Sequence, residues 1–224
     1  MKTDERKRAR ELRALGWSIK EIEQRLDVSR SSVSVWVRDV VLGPDEQRAL
    51  NEKTGLGRIV AATRKSALAR EQRRAYQLEG RRLARERDVS YLSGCMLYWA
   101  EGAKERNSVR LVNSDRELLI VFAAFLRTHF DVDDEAMRVR CNLFADDNSE
   151  QQAIERYWLE SLRVSTSSLL KSSVNVHSKY STKKRANKLP YGTCELTVNS
   201  TRIVQTIYGS IQEYGGFDRP EWLD

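Results

Sequence analysis

The sequence predicts an α+β protein: a small all-helical unit, a long arginine-rich helix, then a domain mixing helices and strands. Three observations predict it. Residues 4–40 place apolar side chains three and four apart between serine caps and glycine stops, the mark of short amphipathic helices. Residues 58–87 hold no proline and few large apolar side chains, as a solvated helix does. Beyond Asp88, the period-two stretches SVRLV, AMRVRCNLF, SSVNVH and YGTCELTV alternate with helical ones.

In the first unit, the helix DERKRARELRAL turns Leu12 and Leu15 inward and stops at Gly16. Ser18 caps the next helix, IKEIEQRL, whose Ile19, Ile22 and Leu26 recur at helical spacing. Asp27-Val28 makes a tight turn, with Val28 tucked under it. Ser29 caps a third helix, RSSVSVWVRDV, running over residues 29–40. There Val33, Trp36 and Val37 face inward and Val35 outward, and Gly43-Pro44 closes the unit.

The pattern GWSIKEIEQRLDVSRSSVSVWVRD resembles the helix-turn-helix of bacterial regulators and resolvases. The resemblance implies that the third helix enters a major groove of double-stranded DNA. Small residues at its start (Ser29, Ser31, Ser32, Ser34) would let backbone and side chains approach base edges. Arg30 would fork onto a guanine or hold a phosphate, and Arg38 would meet the backbone. Val35 has two readings, contact with a thymine methyl or packing on a domain edge or second subunit.

In the connector, Gly55 and Gly57 are expected to interrupt, and a long helix to follow from Arg58 to Arg87, bent at Gly80. Arg70, Arg74, Arg81 and Arg85 share one face by their spacing. The face either tracks a phosphate backbone or is the solvated side of a spacer.

The remaining chain reads α-β-α-β-α-β-β-α. Ser114 and Glu117 form a capping-box pattern before the helix RELLIVFAAFLRTHF. A basic segment, SKYSTKKRANKLP, separates the last two strands; it adds Lys179, Lys183, Lys184, Arg185 and Lys188 as candidate phosphate contacts. The stretch GCMLYWAEG at residues 94–102 is similar to the helix motif of the LAGLIDADG homing endonucleases, with echoes in SDRELL, RYWLESL and LPYGTCELTVNSTRIVQTI. That resemblance implies a saddle of antiparallel strands on DNA, with motif helices of two copies packed together. It also implies an acidic residue, here Glu101, holding Mg²⁺ beside a scissile phosphate. Only one such motif occurs in the chain, so a second must come from another subunit of a homodimer. The other reading of Glu101 is a helix-end carboxylate paired with Lys104 or Arg106.

The boundaries expected are 1–43 for the helix-turn-helix, 44–88 for the connector, 89–216 for the LAGLIDADG-like domain and 217–224 for an irregular tail. Composition narrows the function classes. Hydrophobic residues make up 40% of the 224, enough for a core, and the net charge is +7. Residues 1–89 hold 22 of the 39 basic side chains against 14 acidic ones, and residues 163–188 hold seven basic and none acidic. Segregated positive charge is what a polyanion binder carries. No apolar run approaches the ~20 residues of a membrane span. The start, MKTDERKRAR, shows no secretory signal, so a cytoplasmic, nucleoid-associated location is expected. Cys95, Cys141 and Cys194 are widely spaced, with no CxxC and only His129 and His177 besides, so neither a zinc site nor a disulfide framework is expected. The leading reading is a sequence-specific DNA-binding regulator of bacterial type, with no cofactor and no small-molecule substrate. The rivals are a Mg²⁺-dependent endonuclease using Glu101 and a recombination or mobile-element accessory that binds without cutting.

Overall fold

A computed structural model describes residues 2–86, 89–175 and 189–224. The chain is α+β and divides into two compact units, Met1–Leu68 and Ala69–Asp224.

The first unit is built on α1 (Lys2–Ala14), α2 (Ile19–Leu26) and α3 (Arg30–Trp36). Its core is small: Ala9, Ile22, Val33 and Val37 are buried, ringed by Leu12, Trp17, Ile19, Leu26, Val28, Trp36 and Val40. Ser18 starts α2 with a reciprocal capping box: its Oγ accepts from the Glu21 N–H (3.3 Å), and its own N–H donates to the Glu21 carboxylate (2.9 Å). Asp27 ends α2 in the left-handed region at φ +52° and turns the chain toward α3. Two expectations are corrected. Leu15 is 72% exposed, because α1 ends at Ala14 and the chain reverses at Gly16 (φ +83°); Ala9 takes the inner position instead. The third helix is shorter than 29–40: it ends at Trp36, and Val37 caps it outside helical geometry.

Helix α4 (Pro44–Ala84) runs through Gly55, Gly57 and Gly80 without interruption. A glycine weakens a helix by only about 1 kcal/mol relative to alanine, too little to break one of this length. Its later part is no spacer. Arg73, Gln77, Gly80 and Ala84, spaced four, three and four, form a buried stripe within the second unit. Gln77 and Gly80 lie against α8 (Thr201–Gly215), and Arg73 donates to the Leu223 carbonyl (2.6 Å). The two helices cross on glycine: a Cβ on Gly80 would sit 1.9 Å from the Thr206 carbonyl oxygen, and one on Gly209 2.0 Å from that of Gln77. Around the crossing, Gln77 donates to Gln205 (2.7 Å), Gln212 donates to Gln77 (3.0 Å), and the Ser210 hydroxyl donates to the Gly80 carbonyl (2.8 Å). Polar groups this deep persist because they are paired.

The second unit continues with α5 (Val89–Glu101), β1 (Val109–Asn113), α6 (Arg116–Phe130), β2 (Met137–Phe144), α7 (Asn148–Leu162), β3 (Ser173–Asn175), β4 (Thr193–Val198) and then α8. The sheet order is β1-β4-β2-β3. It departs from a fully antiparallel saddle: β4 is antiparallel to β1 and β2, but β3 is parallel to β2. The cause is connectivity. The chain leaves β2, returns through α7, and a crossover of that length lays the next strand parallel. One face of the sheet is apolar: Val109, Leu111, Met137, Val139, Cys141, Leu143, Cys194, Leu196 and Val198 join the core with Tyr98, Phe122, Trp158 and Tyr208. Asp115 caps α6, accepting from the Leu118 N–H (3.1 Å), so a single cap one residue later replaces the expected Ser114–Glu117 box. The tail is packed rather than irregular: Pro220–Leu223 forms a 3₁₀ turn, and Trp222 stacks on Tyr208 with ring centroids 4.4 Å apart. No helix among the described residues is long and apolar enough to cross a membrane.

Candidate nucleic-acid interface

Helix α3 sorts its residues onto two sides. Val33 and Val37 are buried, four apart on one stripe, with Trp36 beside them. Arg30, Ser31, Ser34, Val35 and Arg38 point to solvent, and Val35 is 72% exposed. Arg30 and Arg38 form no ion pair among the described residues. Ser29 and Ser32 do different work. The Ser29 oxygen accepts from the Ser32 N–H (3.3 Å) and shares hydroxyl contacts with Ser32 (2.9 Å) and Ser31 (3.0 Å), so they build the start of the helix.

Two ion pairs hold this unit. Arg10 on α1 reaches the far end of α3, donating to the Trp36 carbonyl (2.8 Å) and to both Asp39 carboxylate oxygens (2.5 and 2.9 Å). The Arg10 hydrogen bond, with Asp39's own N–H, lowers the Asp39 carboxyl to about 2. Lys53 of α4 binds Glu21, and that contact, then the Ser18 N–H, lowers the Glu21 carboxyl to about 2. Neither pair was foreseen. Partners 29 and 32 residues apart leave no local spacing signal.

The arginine face of α4 has another fate. Arg70 donates to Asp224 (2.7 Å), and Arg85 to Glu213 (2.7 Å). Arg81 contacts Glu213 (3.5 Å), Gln212 (3.3 Å) and Asp218. Three of the four arginines therefore meet carboxylates of their own chain, Arg70 and Arg85 while still exposed, and Arg74 has no ion pair among the described residues. Arg85 in turn lowers the Glu213 carboxyl. The basic segment with Lys179, Lys183, Lys184, Arg185 and Lys188 lies outside the described residues.

The motif helix α5 packs on its own chain through Tyr91, Gly94, Cys95 and Tyr98, while Val89, Ser93, Trp99 and Glu101 are exposed. A Cβ on Gly94 would lie 2.1 Å from the Phe125 ring of α6, so the small residue serves an internal contact rather than a second copy's helix. Glu101 is exposed and accepts from the Asn113 amide (3.2 Å), not from Lys104 or Arg106. Lys104 instead caps α5, donating to the carbonyls of Tyr98 (3.2 Å), Trp99 (2.9 Å) and Gly102 (2.6 Å). Among the described residues no group of three or more His, Cys, Asp or Glu is placed to hold a metal ion.

A basic surface that the sequence reading overlooked lies on the polar face of the sheet. Thr197 sits between Arg110 and Arg138 in register, and Glu195 between Val112 and Arg140. Glu195 lies 3.6 Å from Arg110 and 3.8 Å from Arg140; Arg138 donates to the Glu135 carbonyl (2.7 Å). The signal was present in MRVRCNLF, where arginines alternate with Met137, Val139 and Cys141.

Residues 4–39 match a family model described as "Putative ATPase subunit of terminase (gpP-like)". The match covers most of α1 and all of α2 and α3, and ends on Asp39. No curated protein and no solved structure matches the chain.

Proposed function

We propose that this chain binds double-stranded DNA by placing α3 in a major groove, and that it acts as a site-specific regulator without cutting. The observation that carries the reading is the two-sidedness of α3: buried valines anchor one side, while Arg30, Ser31, Ser34, Val35 and Arg38 face solvent on the other. An α-helix with its side chains is about 10–12 Å across, which fits a major groove about 12 Å wide. Arg30 suits a guanine edge or a phosphate, Ser31 and Ser34 leave room for close approach, and Val35 offers a methyl-sized apolar contact for thymine. The likeness of residues 4–39 to terminase subunits supports DNA as the ligand. In the second unit, Arg138, which donates to the Glu135 carbonyl, offers a further phosphate contact.

Selection of bound duplexes from a random pool tests this reading. The expected result is a recurrent short motif whose binding weakens steeply with salt. Recovery of no motif overturns it. Incubation with supercoiled plasmid and Mg²⁺ should leave the plasmid intact; nicking that disappears in Glu101→Gln would reinstate the endonuclease. The terminase likeness also favours a second reading, a packaging or mobile-element accessory that binds without cutting. A reporter placed beside the selected motif separates them: its output changes under the regulator reading and stays constant under the accessory one.

A further inference from the structure

We propose that Arg10 is a positioning residue for DNA recognition, setting the angle of α3 from behind without itself touching the duplex; the proposal rests on the DNA reading above. Val33 and Val37 lie on one stripe and together define a line of contact with the core. Packing along a line leaves rotation about that line weakly opposed, and in a helix of seven residues Trp36 is the partly buried side chain beside it. Arg10 supplies the off-line restraint. Its guanidinium donates to the Trp36 carbonyl, one of the last-turn carbonyls that lack a partner within the helix. The same group grips both oxygens of Asp39, just past the helix end.

Three donor contacts from one rigid plane fix an orientation; a lysine, with a single flexible ammonium, cannot reproduce them. The restraint matters because Arg30, Ser34 and Arg38 project from the opposite side, and productive contact geometry tolerates only about 10–20° of misorientation. Asp39 faces Arg10 and, more distantly, Arg6, so the Arg10 charge is matched within the unit and is not a spare cation for a phosphate.

The test uses the full chain, the duplex selected as above and a scrambled duplex, with binding measured over a range of salt. Arg10→Met and Arg10→Lys should each reduce the preference for the selected over the scrambled duplex by about tenfold, the loss of a charged hydrogen-bond set, with the salt slope unchanged. Amide exchange over residues 33–40 of the DNA-free protein should speed up in both variants, while the amides of α1 and α2 keep their protection and show that the unit is folded. A flatter salt slope with the preference intact would make Arg10 a phosphate contact and overturn the proposal. Unchanged exchange and unchanged preference in a folded Arg10→Met would show that the core alone orients α3. A wild type that prefers no duplex overturns the DNA reading and this proposal together, whereas a selective wild type with an indifferent Arg10→Met overturns this proposal alone.

Discussion

Arg30 on α3 and Arg38 just past its end, and Arg70, Arg81 and Arg85 on α4, are the same side chain in one basic chain, yet their partners differ. The first two face solvent with no ion pair among the described residues, while the other three are matched by Asp224, Glu213 and Asp218. The difference is not one of residue type. It comes from what the tertiary fold brings opposite. The α4 arginines lie beside the glycine crossing with α8, which carries the C-terminal carboxylates to them; α3 is covered only on its valine side. A row of positive charges is therefore available to an outside anion only where the chain supplies no carboxylate of its own.

Substitutions can break this contrast at several strengths. The largest effect is expected at the crossing itself. Gly80→Val drives a side chain into the α8 backbone, and overpacking of this kind should lower the unfolding free energy of the second unit by about 3 kcal/mol or more, read from the urea midpoint. Arg30→Ala should leave that midpoint alone and cost about 1–3 kcal/mol of affinity for the selected duplex, relaxing specificity at one position. Arg81→Ala should do the reverse: a stability loss of about 1–2 kcal/mol with DNA affinity and salt slope unchanged. A flatter slope in Arg81→Ala would erase the distinction between the two sets. The smallest effect concerns acid. The Glu21 carboxyl is held at about 2 against an ordinary 4.5, so its contribution to stability is complete above 4.5 and fades as the pH falls toward 2. Glu21→Gln should flatten the acid limb of the stability curve in that window, and Lys53→Met should move the limb to higher pH.

What local pattern could reveal, it revealed. Ser18, Ser29 and Ser200 cap the helices they were expected to cap, Val35 points outward, and the helix–strand order of the second unit follows from changes of period. Most departures depend on a partner distant in sequence or on a backbone path; the Ser114–Glu117 box, pre-empted by the neighbouring Asp115, does not. Leu15 fits the periodicity of α1, but the helix ends one residue before it. Gly55 and Gly57 read as breaks because composition does not weigh a small per-residue penalty against a helix of this length. The parallel setting of β3 depends on the route of α7, and the pairing of Arg10 with Asp39 on the docking of α1 and α3. Of the candidate site, the solvent-facing residues were legible; the arginine that orients them was not.

The three cysteines have a practical consequence. Cys95, Cys141 and Cys194 are all buried, all lie in the second unit, and Cys141 stands opposite Cys194 in the β2–β4 register. Burial raises all three thiols, Cys95 and Cys141 to about 12, so the native protein holds almost no thiolate at neutral pH. An alkylating reagent should therefore label the chain only when the second unit opens. The rate of mass gain becomes a clock for that opening, read without interference from the cysteine-free unit that carries α3.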